Sequence, residues 1–169
     1  MSGDLLRTGS LVAATLTAGL SAGVFVDWAN TIMPGLGDVD DRTFVKSFRA
    51  LDGAITNPLF IGVEFMGALV LTGVAAALHR RPEHHGVLLW VGAGLVCIVV
   101  VHGITYGINV PLNDKIQKAG ALETDADFAA ARALLDEARW TAWNTVRAVA
   151  STAAFGCLVG ALAVRGRLG

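Results

Sequence analysis

Charge is scarce in this sequence. Asp, Glu, Lys and Arg make up 16% of 169 residues and leave a net charge of −1, so there is no electrostatic reason to expect nucleic acid as a partner. Cysteine is scarcer still. Cys97 and Cys157 lie in separate apolar runs outside any CxxC spacing, which argues against a redox dithiol or a thiolate-bound metal and leaves packing as their reading. There is no ExxH or HExxH spacing and no second histidine within an apolar run, so a zincin-type site and bis-histidine haem are not expected. No linker or low-complexity tract divides the chain, and one domain covers residues 1–169.

What the sequence has in plenty is apolar length. Hydrophobic residues supply 54% of the chain and the mean hydropathy is +0.58. Four runs, at about 5–32, 58–78, 86–110 and 142–164, can cross a hydrocarbon core that needs ~20 helical residues. Four spans cannot close a barrel, so the expected fold is all-α, an integral membrane four-helix bundle. Arg7 ahead of the first run has the look of a signal sequence. The run is longer than the usual h-region and lacks a clear cleavage site, so it is read as a span. Glycines four apart (Gly19 and Gly23, Gly103 and Gly107, Gly156 and Gly160) suit close helix packing. The termini and residues 79–85 carry five arginines against Asp4 and Glu83, whereas the longer connections 33–57 and 111–141 hold an acidic excess. By the positive-inside rule both termini are expected to be cytoplasmic, in the plasma (inner) membrane of the cell. His79, His84 and His85 then read as solvated loop residues rather than a metal site.

Between the spans the pattern is amphipathic. The cluster Asp38, Asp40 and Asp41 offers an N-cap, after which Phe44, Phe48, Leu51 and Ile55 recur on one helical face. This short helix, about 41–55, is expected either to cap the bundle mouth as a lid or to lie on the membrane surface, with Arg42, Lys46 and Arg49 toward solvent or headgroups. Asn57-Pro58 then starts the second span. Thr124 with Asp127 has the spacing of a capping box, and the alanine-rich segment from Asp125 predicts one extended fourth helix that starts outside the membrane and runs on as the last span.

Polar residues interrupt the spans at one level. His102, Thr105, Tyr106, Asn109 and Asn113 share a face if the helix holds to Pro111, where it should end or kink. Trp140, Trp143, Asn144 and Arg147 share a face of the last span, and Asp27 and Asn30 a face of the first. At ~1.5 Å per residue, Glu64 lies ~9 Å, His102 ~10 Å and Arg147 ~8 Å into their spans, with Asp27 at a similar level. An ionisable group facing lipid costs ~2.5–3.5 kcal/mol, so these are expected to face inward, either paired as Arg147 with Asp27 or Glu64, or lining a wet pocket that opens outward. Asp27, Glu64 and His102 offer a ligand set for zinc or non-haem iron; Arg147 at the same depth would repel a cation, and no cofactor is expected.

The segments MPGL after the first span, FRALDGAITNPLF (48–60), NVPLND (109–114) and WTAWNTVR (140–147) resemble the anthrone-oxygenase-like family of small four-helix membrane proteins, nearly the whole chain through. Many bacterial members of that family are domains of unknown function. The resemblance implies oxidation of an anthrone or related lipophilic polyphenol by molecular oxygen, without an established metal or flavin. It makes Asn109, Pro111, Asn113, Trp140, Asn144 and Arg147 candidate pocket residues. The residue types suit such chemistry. His102, oriented by Asp27 or Glu64, is the expected base, and Arg147, Tyr106 and Asn109 the expected stabilisers of a developing oxyanion. Asn30, Asn113, Asn144, Trp140 and Trp143, with Phe48 or Phe60, are expected against a flat aromatic substrate. Expected partners are therefore membrane lipids and a lipophilic aromatic small molecule, with a homo-oligomer left open. The competing reading is a non-enzymatic binding or assembly protein whose polar cluster fixes packing; a transporter fits poorly with four spans and no inverted repeat.

Overall fold

The computed structural model describes residues 2–167 and is all-α, with no strand among the described residues. The helices are α1 (Ser2–Asp27), α2 (Met33–Gly37), α3 (Asp41–Ile55), α4 (Met66–Leu78), α5 (His85–Ile104), α6 (Val110–Gln117), α7 (Asp125–Leu134) and α8 (Glu137–Gly166). Four continuous helical stretches, Gly3–Gly37, Leu59–Leu78, Pro82–Gln117 and Glu137–Gly166, are long and apolar enough to cross a membrane. In this bundle α1 packs on α4 and α8, and α5 packs on α8 and α4. The half nearer the termini is filled by small aliphatic side chains such as Leu11, Ala14, Ala75 and Leu158, with an aromatic layer of Phe25, Phe60 and Phe65 above it. α2, α3, α6 and α7 close the opposite end as a cap around Trp28, Phe44, Phe48 and Trp140.

Three of the spanning stretches contain π-helical segments, Trp28–Ile32, Leu59–Phe65 and Thr105–Asn109, all at the cap end. Each segment adjoins a proline: Pro34, Pro58 and Pro111. At Pro34 and Pro111 the preceding π turn, bonding to the carbonyl five residues back, widens the helix where the ring would otherwise clash with the carbonyl four back, whereas Pro58 opens its helix and meets no such carbonyl. Of the two outcomes expected at Pro111, an end or a kink, the helix does not end there but runs on through the π segment to Gln117; the first stretch passes Pro34 in the same way.

The cap is held by directional bonds. Asp40 is the N-cap of α3, accepting from Thr43 N at 3.0 Å, and Thr124 and Asp127 form the predicted capping box. α3 packs into the cap through one face. Its Phe44, Val45 and Phe48 are buried in the cap, and Arg49 donates to the Ile116 and Ala119 carbonyls at 2.8 and 2.6 Å. Arg42 pairs with Asp125 at 3.0 Å. Nor is the helix from Asp125 continuous with the last span. Asp136, at φ 51°, breaks it into α7 and α8, and Arg132 secures the corner through Asp41 (3.1 Å) and Glu137 (2.9 Å).

Close helix approach also differs from the glycine pattern. A Cβ on Gly103 or Gly107 would meet nothing within 4 Å, whereas one on Gly94 of α5 would lie 3.3 Å from the Ala154 carbonyl oxygen of α8. Gly19 and Gly160 make room for the rings of Phe155 and Trp90. At the terminal end His79 and His84 are buried, not solvated, and the Nδ1–H of His79 donates to the Ala75 carbonyl at 2.7 Å.

Candidate functional site

The site begins with the buried stripe of α8. Trp140, Asn144, Arg147 and Ser151 fall at i, i+4, i+7 and i+11 and are all buried. Arg147 is 6% exposed. Its Nη2 donates to Asn144 Oδ1 at 2.9 Å and its Nη1 to Thr105 Oγ1 at 3.2 Å, while Thr105 passes its own proton to the Val101 carbonyl. The guanidinium lies 4.7 Å from the Phe25 ring centroid and 5.6 Å from that of Trp140. Its Nε–H has no partner. None of the ion pairs among the described residues uses Arg147, Asp27 or Glu64, so the expected pairing of Arg147 with an acid is not formed. A buried cation is thus held by neutral oxygens and aromatic faces, an arrangement that an incoming anion would complete.

A second polar group closes the site from the cap. Trp140 Nε1–H donates to Asn113 Oδ1 at 2.6 Å, Asn113 Nδ2 donates to one oxygen of Asp52 at 2.6 Å, and Gln117 Nε2 donates to the other at 2.8 Å. An indole can only donate and a carboxylate only accept, so the orientation of the Asn113 amide is determined. Asp52 sits at the end of α3 and is half-buried.

Between the two groups lies a cavity of about 100 Å³. Arg147 and Thr105 line its depth, Asp52, Asn113 and Tyr106 its rim, and Trp28 with Phe25, Phe60 and Phe65 its aromatic walls. The three π segments supply most of that wall, through Trp28, Phe60, Phe65, Thr105 and Tyr106. Such segments place one extra residue in the turn and rotate everything beyond it by ~100° relative to an α-helix.

Of the residues predicted from sequence, Tyr106, Asn113, Trp140 and Arg147 line this cavity. Asn109 and Asn144 are buried behind it as supports, Asn109 donating to the Trp140 carbonyl (3.2 Å) and Asn144 to that of Phe25 (3.3 Å). His102 does not line it. Its ring stacks on Phe65 at 3.9 Å, on a separate void of about 10 Å³ shared with Ser21 and Ser151. There Nδ1 donates to the Ile98 carbonyl (2.9 Å), and Nε2 is buried without a partner. Glu64 lines a different groove, and Asp27, Asn30 and Trp143 are exposed outside the cavity. Phe25 and Trp28 take the inward face of the first span, which turns Asp27, two residues past Phe25, away by ~200°. Among the described residues no three His, Cys, Asp or Glu side chains gather around a point that could hold a metal, so Asp27, Glu64 and His102 are not a ligand set.

Sequence reasoning missed Asp52. A signal was present, because Asp52 follows Phe48 by four residues and so extends the buried Phe44–Phe48 stripe with a carboxylate.

No curated protein and no solved structure matches the chain. Residues 57–157 match the family model described as Anthrone oxygenase, a family that is in general cofactor-independent. The match covers well over half of the 169 residues and includes Phe60, Phe65, Thr105, Asn113, Trp140 and Arg147 of the cavity, while Trp28 and Asp52 lie before it. With four helices able to cross a membrane, the chain belongs to the anthrone oxygenase family.

Proposed function

We propose that this protein oxidises a lipophilic, phenolic anthrone-type substrate to the quinone with molecular oxygen and no cofactor, in the cavity between Asp52 and Arg147. The observation that carries this reading is Arg147, a buried guanidinium without a carboxylate partner, at the floor of an aromatic-walled cavity with a carboxylate at its rim. An anthrone has an acidic methylene across the central ring from its carbonyl. Asp52, held by Asn113 and Gln117, takes one methylene proton as the carbonyl oxygen gains charge against Arg147. The resulting anion is electron-rich enough to pass one electron to dioxygen, and recombination forms a carbon–oxygen bond. The Asp52 proton then converts the peroxide to a hydroperoxide. Loss of the second methylene proton breaks the O–O bond, giving the new carbonyl and water. One oxygen atom enters the product and the other leaves as water, so the four electrons balance without another reductant.

His102 was the base expected from sequence. Its place behind Phe65 favours Asp52 for proton transfer and leaves His102 as a support for the Phe65 wall. The arginine-rich terminal end supports a cytoplasmic placement of both termini in the plasma membrane, with the cap on the opposite side.

The test is anthraquinone formation from an anthrone by purified, detergent-solubilised protein against a protein-free blank, since anthrones oxidise slowly unaided. A rate well above the blank that falls ~10²–10⁴-fold in Asp52→Asn is expected for loss of a general base. A wild-type rate equal to the blank, in folded protein, sinks the oxidation and favours the non-enzymatic reading, in which the same pocket only binds a lipophilic anion. A full rate in Asp52→Asn with loss in His102→Ala returns the base to His102.

A further inference from the structure

Next to the cavity, on the flank of the bundle, an open groove of about 340 Å³ lies between the cap end of the first span and the π segment that opens the second. Trp28, Ile55 and Phe60 line both spaces, so one wall of three side chains divides them. The outer side of the groove carries Leu51, Ala54 and Leu59, all exposed, and Leu59 opens the second membrane-length helix, so the groove lies where the cap meets the apolar flank of the bundle. Within this apolar setting stands Glu64, half-buried and without a hydrogen bond or ion pair to any described residue.

We infer that this groove is a lateral vestibule. It takes a lipophilic phenolic substrate from the bilayer, Glu64 accepts a hydrogen bond from a phenolic hydroxyl, and the Phe60–Ile55 wall yields to admit the ring system to the cavity. This rests on the substrate class proposed above. Three observations meet here. The inner cavity, at about 100 Å³, is smaller than the ~300–1,000 Å³ of ordinary ligand sites, and only with the groove does the combined space reach that range. An ionisable group at membrane depth is costly unless it serves a ligand or a partner, and no side chain serves Glu64. A hydroxylated aromatic supplies both the donor that Glu64 lacks and the flat apolar body the walls fit; a lipid acyl chain supplies only the second.

The test uses the full chain in liposomes. Ala54→Trp fills the groove from its exposed side. The kcat/KM for a bilayer-delivered anthrone is expected to fall about tenfold, chiefly through KM expressed as mole fraction in the lipid. A second variant makes the result independent of turnover and of how well the tryptophan is tolerated. Ala54→Cys, with Cys97 and Cys157 changed to serine, is labelled with a membrane-permeant maleimide in the presence of a dihydroxyanthraquinone or of unsubstituted anthraquinone. Protection at least fivefold stronger by the dihydroxy compound, and loss of that preference in Glu64→Leu, is the expected result. Equal protection by both compounds, or none by either, overturns the vestibule, as does labelling that changes only with the lipid. Protection without anthrone turnover keeps the vestibule and removes the oxidation; turnover without protection does the reverse.

Discussion

Arg147 separates a structural from a functional account most cleanly, because the two predict opposite stability changes. A buried ion pair broken on one side costs ~3–5 kcal/mol by stranding its partner, but Arg147 has no carboxylate to strand. Arg147→Met should leave the melting temperature in detergent within a few degrees of wild type or raise it. Turnover of an anthrone should fall ~10²–10³-fold, as for loss of one oxyanion donor. A large drop in melting temperature would mark Arg147 as architectural. The sequence made this residue legible, as an intramembrane charge on the stripe of Trp140 and Asn144. It also showed Asp27 and Glu64 at the same depth, and there depth misled. A carboxylate's level along its helix follows from counting residues, whereas the side it faces depends on which neighbours the helix buries, here Phe25 and Trp28 for the first span.

At the scale of elements, the π segments decide the site. Deleting Gly107, an exposed residue whose added Cβ would touch nothing within 4 Å, converts Thr105–Asn109 toward α-helix and rotates α6 by ~100°. Asn113 then leaves Trp140 and Asp52. Far-UV circular dichroism should keep its helical signal while anthrone turnover is lost; retained turnover would show that the register beyond the π turn is not needed. Helix contact makes a sharper contrast. Gly94→Val drives side-chain carbons toward the Ala154 carbonyl oxygen 3.3 Å away and should destabilise the bundle by ~1–3 kcal/mol, whereas Gly103→Ala should be neutral within ~0.5 kcal/mol. Thermal unfolding in detergent distinguishes the two. The sequence marks Gly103, four before Gly107, and not Gly94, whose neighbours four away are Trp90 and Ile98, because a small-residue spacing shows what a helix permits and not which face its neighbour occupies.

Across the whole molecule, polarity is divided between two ends with different roles. The cap end holds the candidate chemistry. At the terminal end, His79 is buried beside His84, with Arg7 and Arg165 close enough to disfavour a further positive charge, and burial pushes its pKa below the ordinary 6.5. In the unfolded chain the ring takes a proton near that ordinary value, while in the fold it stays neutral to lower pH. Its contribution to stability is therefore full above pH 6.5 and declines as the pH falls through 6.5 toward the lowered value. Melting temperatures measured from pH 7.5 to 5 should fall, and His79→Asn should flatten that dependence; an unchanged slope would assign it to other groups.

The sequence by itself determined the class of protein and the number of spans, because apolar runs of this length have few ways to satisfy their backbone other than as membrane-crossing helices. It determined the family and the cap motifs as well, since Asp40, Thr124 and Asp127 act on amides within three residues of themselves. The tertiary structure alone decided which polar residues meet. Asp52 and Asn113 are 61 positions apart and Arg147 and Thr105 are 42, and their contacts depend on where α3 docks and how far each π turn rotates the helix beyond it. Local chemistry sets what a residue does to its own turn. A site assembled from the four spanning stretches and α3 is set by their relative rotation, which is fixed only when the aromatic core of Phe25, Trp28, Phe60 and Phe65 packs.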